Sequence, residues 1–366
     1  MEIDNNAVVA ALRNIEDPAA GQDIISSRRI SDLRISGSDI QFTLNTTGMA
    51  EEVKSGIHFR CIEEIQKVYP EAQVHVHMQQ GGGPGSASTA ALPQVQNIIA
   101  VASGKGGVGK STVAVNLACA LQEKGLRVGL IDADLYGPSI PTMLGLAGQR
   151  PKVVQRYGKN KIVPLEAPNG MPVMSIGFIV DPEQAVVLRG PRLAGIIKQF
   201  MFECIWPALD YLVIDLPPGT GDIQLTLVQT VPITGAVMVT TPQNVAVTDA
   251  LKAMNMFRME NIAVPILGVV ENMAWFTPAE LPDNKYFIFG EGGGARLAEL
   301  GDSVLLGQIP LVQAVRESGD RGTPVVMQSD ASVSENFKSL ADSLIERVEH
   351  RNRTMGPTSV VQVERP

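Results

Sequence analysis

A glycine-rich loop between a predicted strand and a predicted helix constrains this chain more than any other feature. Residues 103–112 read SGKGGVGKST, follow an apolar run at 97–101 and precede a helix-periodic stretch at 113–124. They fit the pattern G-x-x-x-x-G-K-[ST], in which glycines let consecutive backbone N–H groups point at nucleotide phosphates and the loop ends at a helix N-terminus. The sequence therefore predicts a nucleotide-binding site within an α/β fold.

Nine consecutive residues form the predicted phosphate site. Lys110 is expected to reach the β- and γ-phosphates, and the Ser111 hydroxyl to bind Mg²⁺. A glycine-rich turn that matches by chance is the alternative, but the strand before the loop and the helix after it favour the nucleotide site. The predicted nucleotide-binding residues of the loop are Gly104, Lys105, Gly106, Gly107, Val108, Gly109, Lys110, Ser111 and Thr112.

Three acidic residues lie at the ends of two apolar strands. The run VGLIDAD ends in Asp132 and Asp134, and the run YLVID ends in Asp215. Since the carboxyl ends of parallel strands meet at one edge of a sheet, these carboxylates should lie beside the phosphate loop. We expect Asp134 to act on the attacking water. The predicted Mg²⁺ ligands are Ser111 and, through water, Asp132 and Asp215; the predicted catalytic residues are Lys105, Lys110 and Asp134.

Two further segments at this edge are predicted to take part. Asp215 is followed by a proline- and glycine-rich turn, LPPGTGD at 216–222, which can rearrange when the γ-phosphate leaves. A third strand, 266–270, leads to Asn272, whose amide offers the donor and acceptor needed to read an adenine edge. Capping of a turn is the alternative role for Asn272.

The loop contains a second lysine, Lys105, where ordinary phosphate loops accept almost any residue. The string KGGVGKST resembles the deviant P-loop of the MinD, ParA and nitrogenase-iron-protein group. That resemblance implies an ATP-sandwich homodimer in which Lys105 contacts the phosphates bound by the opposite subunit. A cation in that place neutralises charge that develops during phosphoryl transfer. A solvated loop charge is the alternative for Lys105.

Further motifs resemble one branch of that group, the Mrp/ApbC-type iron–sulfur cluster carrier ATPases. In chain order they are GKGGVGKST at 104–112, DADLYGPS at 132–139, DLPPGTGD at 215–222, TPQ at 241–243, GVVENM at 268–273 and FGEGG at 289–293. The resemblance covers about residues 95 to 350. It implies a slow ATPase that uses ATP and Mg²⁺, carries an iron–sulfur cluster, and binds apo iron–sulfur proteins or assembly factors.

The chain departs from that family between GVVENM and FGEGG. Cluster-carrying members have a C-x-x-C pair in this interval, and in the dimer two such pairs hold a bridging cluster. Here residues 274–288 contain no cysteine, and Cys61, Cys119 and Cys204 form no such pair. Cys119 and Cys204 are expected to be structural. Two functions therefore remain open: a cluster carrier, and an ATP-dependent dimeric switch that binds protein partners without a cluster.

A glycine- and serine-rich stretch, 79–94, is by composition a flexible linker that divides the chain. Residues 1–78 before it show a helix, two alternating strands, a longer helix and a final strand, which predicts a small α+β domain. The segment from Asp17 to Ile25 resembles an iron–sulfur-assembly domain found ahead of many such ATPases. His75 and His77 would face one side of the final strand, either as a metal pair or as an exposed strand face.

Residues 95–350 alternate strands and helices, which predicts a mostly parallel sheet with helices on both faces. The predicted strands are 97–102, 126–132, 171–176, 210–215, 234–240, 265–271 and 303–308. A last helix should pack on this domain through an apolar stripe formed by Phe337, Leu340, Ala341, Leu344 and Val348. Residues 351–366 are predicted to be a disordered tail.

Composition argues against several other classes of protein. The chain has 366 residues and a formal net charge of −8, so it lacks the basic excess that holds nucleic acid phosphates, and no nucleic-acid partner is expected. Three scattered cysteines fit a reducing compartment. The acidic N-terminus does not resemble a signal peptide, and no apolar run is long enough to span a bilayer. We therefore expect a cytoplasmic protein without a membrane partner.

Overall fold

Separate hydrophobic cores divide the chain into two units, Met1–Ala87 and Ser88–Pro366, in a computed structural model. Most of the predicted linker 79–94 and the end of the predicted tail lie outside the residues that the structure describes. Those residues are 3–17, 22–27, 29–36, 39–46, 51–79, 92, 94–135, 137–156, 159–179, 190–221, 224–225, 228, 231–260, 262–278, 280–281, 283–328 and 332–356.

The first unit is a small α+β structure, as predicted. Strand β4 pairs antiparallel with β3 and parallel with β5. Alternate residues of β4 and residues at helical spacing in α2 form its core, because these periods place side chains on one face of a strand and of a helix. The elements are α1 Asn5–Leu12, β1 Glu16–Asp17, β2 Gln22–Asp23, β3 Ile30–Ser36, β4 Asp39–Asn45, α2 Glu51–Val68 and β5 Gln73–Gln79.

The second unit contains one large sheet with strand order β10-β11-β7-β12-β6-β13-β14-β15. All neighbouring strands are parallel except β10, which pairs antiparallel with β11. The strands are β6 Val95–Ser103, β7 Val128–Asp132, β8 Lys152–Arg156, β9 Lys159–Val163, β10 Leu165–Glu166, β11 Pro172–Ser175, β12 Leu209–Asp215, β13 Gly235–Thr240, β14 Ile266–Phe276 and β15 Leu305–Leu311. The helices are α3 Lys110–Glu123, α4 Ile140–Met143, α5 Gly190–Phe202, α6 Asn244–Arg258, α7 Gly293–Leu300, α8 Gln313–Asp320 and α9 Ser332–Thr354.

Helices cover both faces of this sheet, which explains the nearly continuous apolar runs of its strands. In β6, Ile99 and Val101 join a core shared with α3 and α9, whereas Ala100 and Ala102 join a core shared with α5 and α6. The five residues of the predicted stripe on the last helix are all buried. The predicted parallel sheet with helices on both faces is therefore confirmed.

Three features differ from the sequence-based expectation. Helix α9 passes residue 350 and ends at Thr354, so the predicted tail begins too early; the Asn352 amide donates to Asn97 Oδ1 at 2.9 Å and holds this last turn on β6. The hairpin β8–β9 and the short strand β10 were not predicted. Both pairings are local, β8 with β9 and β10 with β11. All five residues of β8 are exposed, so this strand lacks the apolar alternation that marks a half-buried strand in a sequence.

Two other expectations concern membranes and metals. None of the helices in the described ranges combines the length and apolarity needed to cross a bilayer. His75 is exposed on β5, and the side chain of its predicted partner His77 lies outside the described part of the chain. The pairing of these two histidines therefore stays a prediction.

Candidate nucleotide-binding site

The predicted phosphate loop connects β6 to α3 at the carboxyl edge of the large sheet. Gly107 and Gly109 have φ angles of +82° and +79°, in the left-handed region that favours glycine. A β-carbon at Gly109 would overlap the Asn272 amide, and one at Gly104 would overlap the backbone of α6. These glycines therefore allow the loop to pack tightly between β14 and α6 while its backbone N–H groups stay at the start of α3.

Lys110 is the buried cation of the site. Its ammonium Nζ lies 2.6 Å from Asp215 Oδ1, 3.5 Å from Asp134 Oδ2 and 3.4 Å from Ser111 Oγ. The structure thus brings together four of the residues that the sequence singled out. The carboxylates neutralise the lysine, because an isolated charge in this buried place would be costly.

Asp132 and Asp215 are adjacent in register on β7 and β12, and both are completely buried. Burial and the neighbouring Asp215 carboxylate raise the pKa of Asp132 to about 8. Ser175 Oγ and the Asp134 backbone N–H donate hydrogen bonds to Asp132, at 2.9 and 3.1 Å. Burial also raises the pKa of Asp215, and Lys110 opposes that shift. At neutral pH these effects favour the protonated, uncharged form of Asp132.

The oxygens of this cluster fit a magnesium ion. Asp215 Oδ2 is buried and has no hydrogen-bond partner, and Ser111 lies next to the same carboxylate. Among the described residues no group of three or more His, Cys, Asp or Glu side chains forms a metal site by itself. Mg²⁺ binds through one or two protein oxygens together with substrate phosphates, so this donor set suits it.

Asn272 contacts the phosphate loop directly. Its amide Nδ2 donates to the Val108 carbonyl at 2.8 Å, and the residue lies within β14 and caps no turn. The next residue, Met273, has a φ of +56° at a register shift between β14 and β15. Both line a cavity of about 410 Å³ beside the N-terminus of α3, with Thr112, Pro310 and Leu311. The contact of Asn272 with an adenine edge stays a prediction.

Lys105 has a different environment from Lys110. Its backbone carbonyl accepts a hydrogen bond from Ser103 Oγ at 3.0 Å, which orders the start of the loop. Its side chain is half-buried, and no ion pair is recorded between its ammonium and a carboxylate of the described residues. The contact of Lys105 with phosphates in an opposite subunit stays a prediction.

The turn after Asp215 is attached to the same loop. The Gly219 N–H donates to the Ser103 carbonyl at 2.9 Å, and Gly219 has a φ of +100°. The Gln224 amide donates to the Pro217 carbonyl. A movement of the phosphate loop would therefore be transmitted directly to this turn. Asp222, the last residue of the motif, lies outside the described residues.

Sequence reasoning missed two supporting residues. Ser175 holds Asp132 from the end of β11, and its only sequence signal is its place at the end of a predicted strand. Glu271 is buried, accepts hydrogen bonds from the Gly294 N–H and, at 2.7 Å, from the Gln308 amide, and so joins β14 to α7 and β15. Its signal was a charged residue within an otherwise apolar strand.

The interval without cysteines forms a small exposed structure after β14. Phe276 and Tyr286 exchange backbone hydrogen bonds at 2.8 Å, and the Lys285 ammonium lies 4.1 Å from the centre of the Trp275 ring. The chain's three cysteines lie in three different cores, and burial raises the pKa of each thiol to about 12. Cys119 and Cys204 lie in the cores on opposite faces of the large sheet, so these two thiols do not form a metal-binding pair.

Comparison with known proteins supports this interpretation. A family model described as the NUBPL iron-transfer P-loop NTPase matches residues 94–345. A second model, described as an iron–sulfur cluster assembly protein, matches residues 5–78. The two matches lie in the two structural units.

Curated relatives match nearly the whole chain, and a solved structure matches about two thirds of it. An iron–sulfur cluster carrier protein of Synechocystis is 44% identical over 90% of this chain and 93% of its own length. One from Aquifex aeolicus is 41% identical over 94% and 98%. A nucleotide-binding protein of Archaeoglobus fulgidus, solved in complex with ADP, is 36% identical with a TM-score of 0.57, over 67% of this chain and 93% of that chain.

Proposed function

Because this chain belongs to the family of NUBPL iron-transfer P-loop NTPases, we propose that it is a cytoplasmic iron–sulfur cluster carrier that binds and hydrolyses ATP. The observation that carries the ATPase proposal is the buried contact of Lys110 with Asp215 at the end of the glycine loop. It places a cation, oxygen ligands and backbone N–H groups within one site. Phosphoryl transfer needs these groups together.

The site residues have different roles in binding ATP and Mg²⁺. Lys110 exchanges its carboxylate partners for the β- and γ-phosphates, while the N–H groups of residues 104–112 hold the phosphate oxygens. Ser111 and Asp215, with Asp132 behind them, would hold Mg²⁺, which neutralises phosphate charge when bound. Asp134, already within 3.5 Å of Lys110, orients the attacking water. Asn272 and the cavity beside it receive the adenine.

Lys105 supports a homodimer with ATP between the subunits. Its ammonium has no recorded carboxylate partner within the described residues, and the loop that carries it ends at the phosphate site. A lysine from one subunit that reaches the phosphates of the other completes the charge compensation only when two subunits meet. Hydrolysis would thereby be coupled to dimer formation.

The ATP site is tested by Lys110→Ala in the full chain. We expect ATP binding, measured by calorimetry with Mg²⁺, to be lost, because Lys110 is the buried cation at the end of the phosphate loop. Lys252→Ala, which removes an exposed lysine of α6, is the matched control and should bind ATP normally. Unchanged ATP affinity in a folded Lys110→Ala protein would remove the assignment.

The cargo proposal rests on the family, since the described part of the chain offers no thiolate pair. Anaerobic reconstitution with iron and sulfide, followed by absorption spectroscopy and iron counting per dimer, tests it. We expect a weakly held cluster whose ligands include groups outside one protomer. Replacing Cys61, Cys119 and Cys204 by serine, singly and together, identifies any contribution of these thiols.

A second candidate function is favoured by the same cysteine chemistry. Three buried thiols with raised pKa values in separate cores fit an ATP-dependent dimeric switch that binds apo-proteins or assembly factors without holding a cluster. Thiolates are the usual ligands of iron–sulfur clusters. Absence of iron after reconstitution, together with normal ATP hydrolysis, would select the switch over the carrier.

A further inference from the structure

The hairpin β8–β9 is positively charged, although the chain as a whole is acidic. Between Asp134 and Glu166 the sequence has no acidic residue, whereas the whole chain has a net charge of −8. The two strands are antiparallel, with Lys152 opposite Val163 and Arg156 opposite Lys159, and they lie outside the large sheet. The basic residues of this segment are Arg150, Lys152, Arg156, Lys159 and Lys161.

One edge of the hairpin is attached and the other is open. The Ile162 N–H donates to the Glu203 carbonyl at 2.9 Å, and the Ile162 carbonyl accepts from the Ile205 N–H at 2.8 Å. Since the backbone groups of Ile162 point away from β8, its partner Val153 belongs to a non-hydrogen-bonded pair. Val153 and Gln155 therefore direct their N–H and C=O groups outward, and no backbone partner is recorded for them among the described residues.

The side chains beside this edge combine positive charge with aliphatic surface. All five residues of β8 are exposed, with Val153 at 62% and Val154 at 38% of full exposure. Strand alternation places Lys152, Val154 and Arg156 on one face. An exposed edge strand with free N–H and C=O groups is a template for pairing with another chain.

We propose that the open edge of β8 binds an extended, acidic segment of a partner protein by adding it as a third strand. A peptide backbone matches both the N–H and the C=O groups of this edge, whereas nucleic acid phosphates match the donors only. Carboxylates of such a segment complement the cationic face, and its apolar residues cover the valines. A second copy of this hairpin would bring lysines against lysines, so the partner is a different protein.

The probe for this proposal is a capped, fluorescein-labelled peptide of alternating glutamate and valine, tested with the full chain by fluorescence anisotropy. We expect saturable binding that weakens with salt, and slower hydrogen exchange at the amides of Val153 and Gln155 when the peptide is bound. A peptide with lysine in place of glutamate, and one with N-methylated backbone amides, should not bind. The measurement needs neither ATP nor a cluster, so its outcome is independent of the proposed function.

Two variants separate the contributions of charge and backbone. Lys152→Glu should weaken peptide binding about tenfold, since it replaces attraction by repulsion. Val153→Pro removes an outward N–H that the hairpin itself does not use, so it should abolish binding without a change in the thermal midpoint. Lys252→Glu on α6 is the control for a change of net charge and should bind the peptide as the wild type does.

Three results would overturn the proposal. They are no peptide binding to the wild type, equal binding by wild type and Lys152→Glu, and tighter binding of oligothymidylate than of the acidic peptide. If Val153→Pro fails to fold, the hydrogen exchange of Val153 and Gln155 in the wild type decides the backbone contact: unchanged exchange at saturating peptide would contradict strand addition.

Discussion

Lys110 is a predicted phosphate-binding residue that also stabilises the buried acidic cluster. Its ammonium compensates Asp215 and Asp134 in a place where Asp132 and Asp215 are fully buried. Removing one partner of a buried ion pair leaves uncompensated charge and costs about 3–5 kcal/mol. The raised pKa of Asp132 is one way in which this site limits that cost, because a protonated carboxyl carries no charge.

At the residue scale, Lys105→Ala should separate hydrolysis from binding. We expect ATP affinity to stay close to that of the wild type, because Lys110 and the loop N–H groups remain, while the hydrolysis rate falls on the order of a thousandfold, as for loss of an arginine finger. Steady-state phosphate release and calorimetry measure the two quantities.

Mixed dimers supply the control for this prediction. In a mixed dimer, one subunit carries Lys105→Ala and the other carries Asp134→Ala. If each lysine acts across the interface, one of the two ATP sites then keeps both its own Asp134 and a lysine from the other subunit. A mixture that recovers no activity, together with a wild-type rate per subunit that does not depend on protein concentration, would contradict the role of Lys105 in the opposite subunit.

The cysteines give a second prediction at this scale. With thiol pKa values of about 12 and burial in three cores, the thiolate fraction at pH 8 is on the order of 10⁻⁴, so none of the three should react with iodoacetamide in the native protein. In denaturant all three should react, which mass spectrometry can count. Rapid labelling of Cys119 or Cys204 in the native protein would show that the core around that thiol opens. The labelled cysteine would then again be a candidate cluster ligand.

At the scale of elements, Glu271 fixes the arrangement of three of them. It lies in β14 immediately before Asn272, and its two oxygens accept from the N-terminal turn of α7 and from Gln308 of β15. A carboxylate is favourable at a helix N-terminus, where backbone N–H groups are unpaired. The glycines of α7 are required here, since a β-carbon at Gly294 would overlap the Glu271 side chain.

Glu271→Ala should therefore destabilise the second unit. One buried donor, the Gly294 N–H, and one half-buried donor, the Gln308 amide, would lose their acceptor. We expect the free energy of unfolding to fall by about 3 kcal/mol in a urea titration. Glu299→Ala, which removes an exposed carboxylate from the same helix, should change it by less than about 0.5 kcal/mol. Equal effects of the two variants would mean that Glu271 does not hold α7.

At the scale of the whole molecule, the two units have independent cores. Every residue of the candidate site lies within 88–366, and the core of the first unit is formed only by residues before 88. Each unit buries its own apolar surface, which is the condition for independent folding.

We therefore expect residues 88–366, produced alone, to unfold cooperatively and to bind ATP within about twofold of the full chain, because the loop, its carboxylates and the cavity are all retained. Circular dichroism and calorimetry test this. A loss of affinity by tenfold or more in a folded fragment would show that the first unit contributes to nucleotide binding.

The sequence by itself determined the nucleotide site and the order of the elements around it. Glycine spacing, strand-end carboxylates and apolar periodicity are local, and local patterns decide where a loop, strand or helix forms. Lys110, Asp132, Asp134 and Asp215 could be named in this way, and the structure brings them together.

Only the tertiary structure decided which groups touch. The bond from Asn272 to Val108, the support of Asp132 by Ser175 and the bridge of Glu271 to α7 each join residues far apart in the chain. The same holds for the open edge of β8, whose direction depends on the attachment of Ile162 to Glu203 and Ile205. Such contacts depend on how strands are ordered and helices packed, which is a property of the whole fold and not of any segment of its sequence.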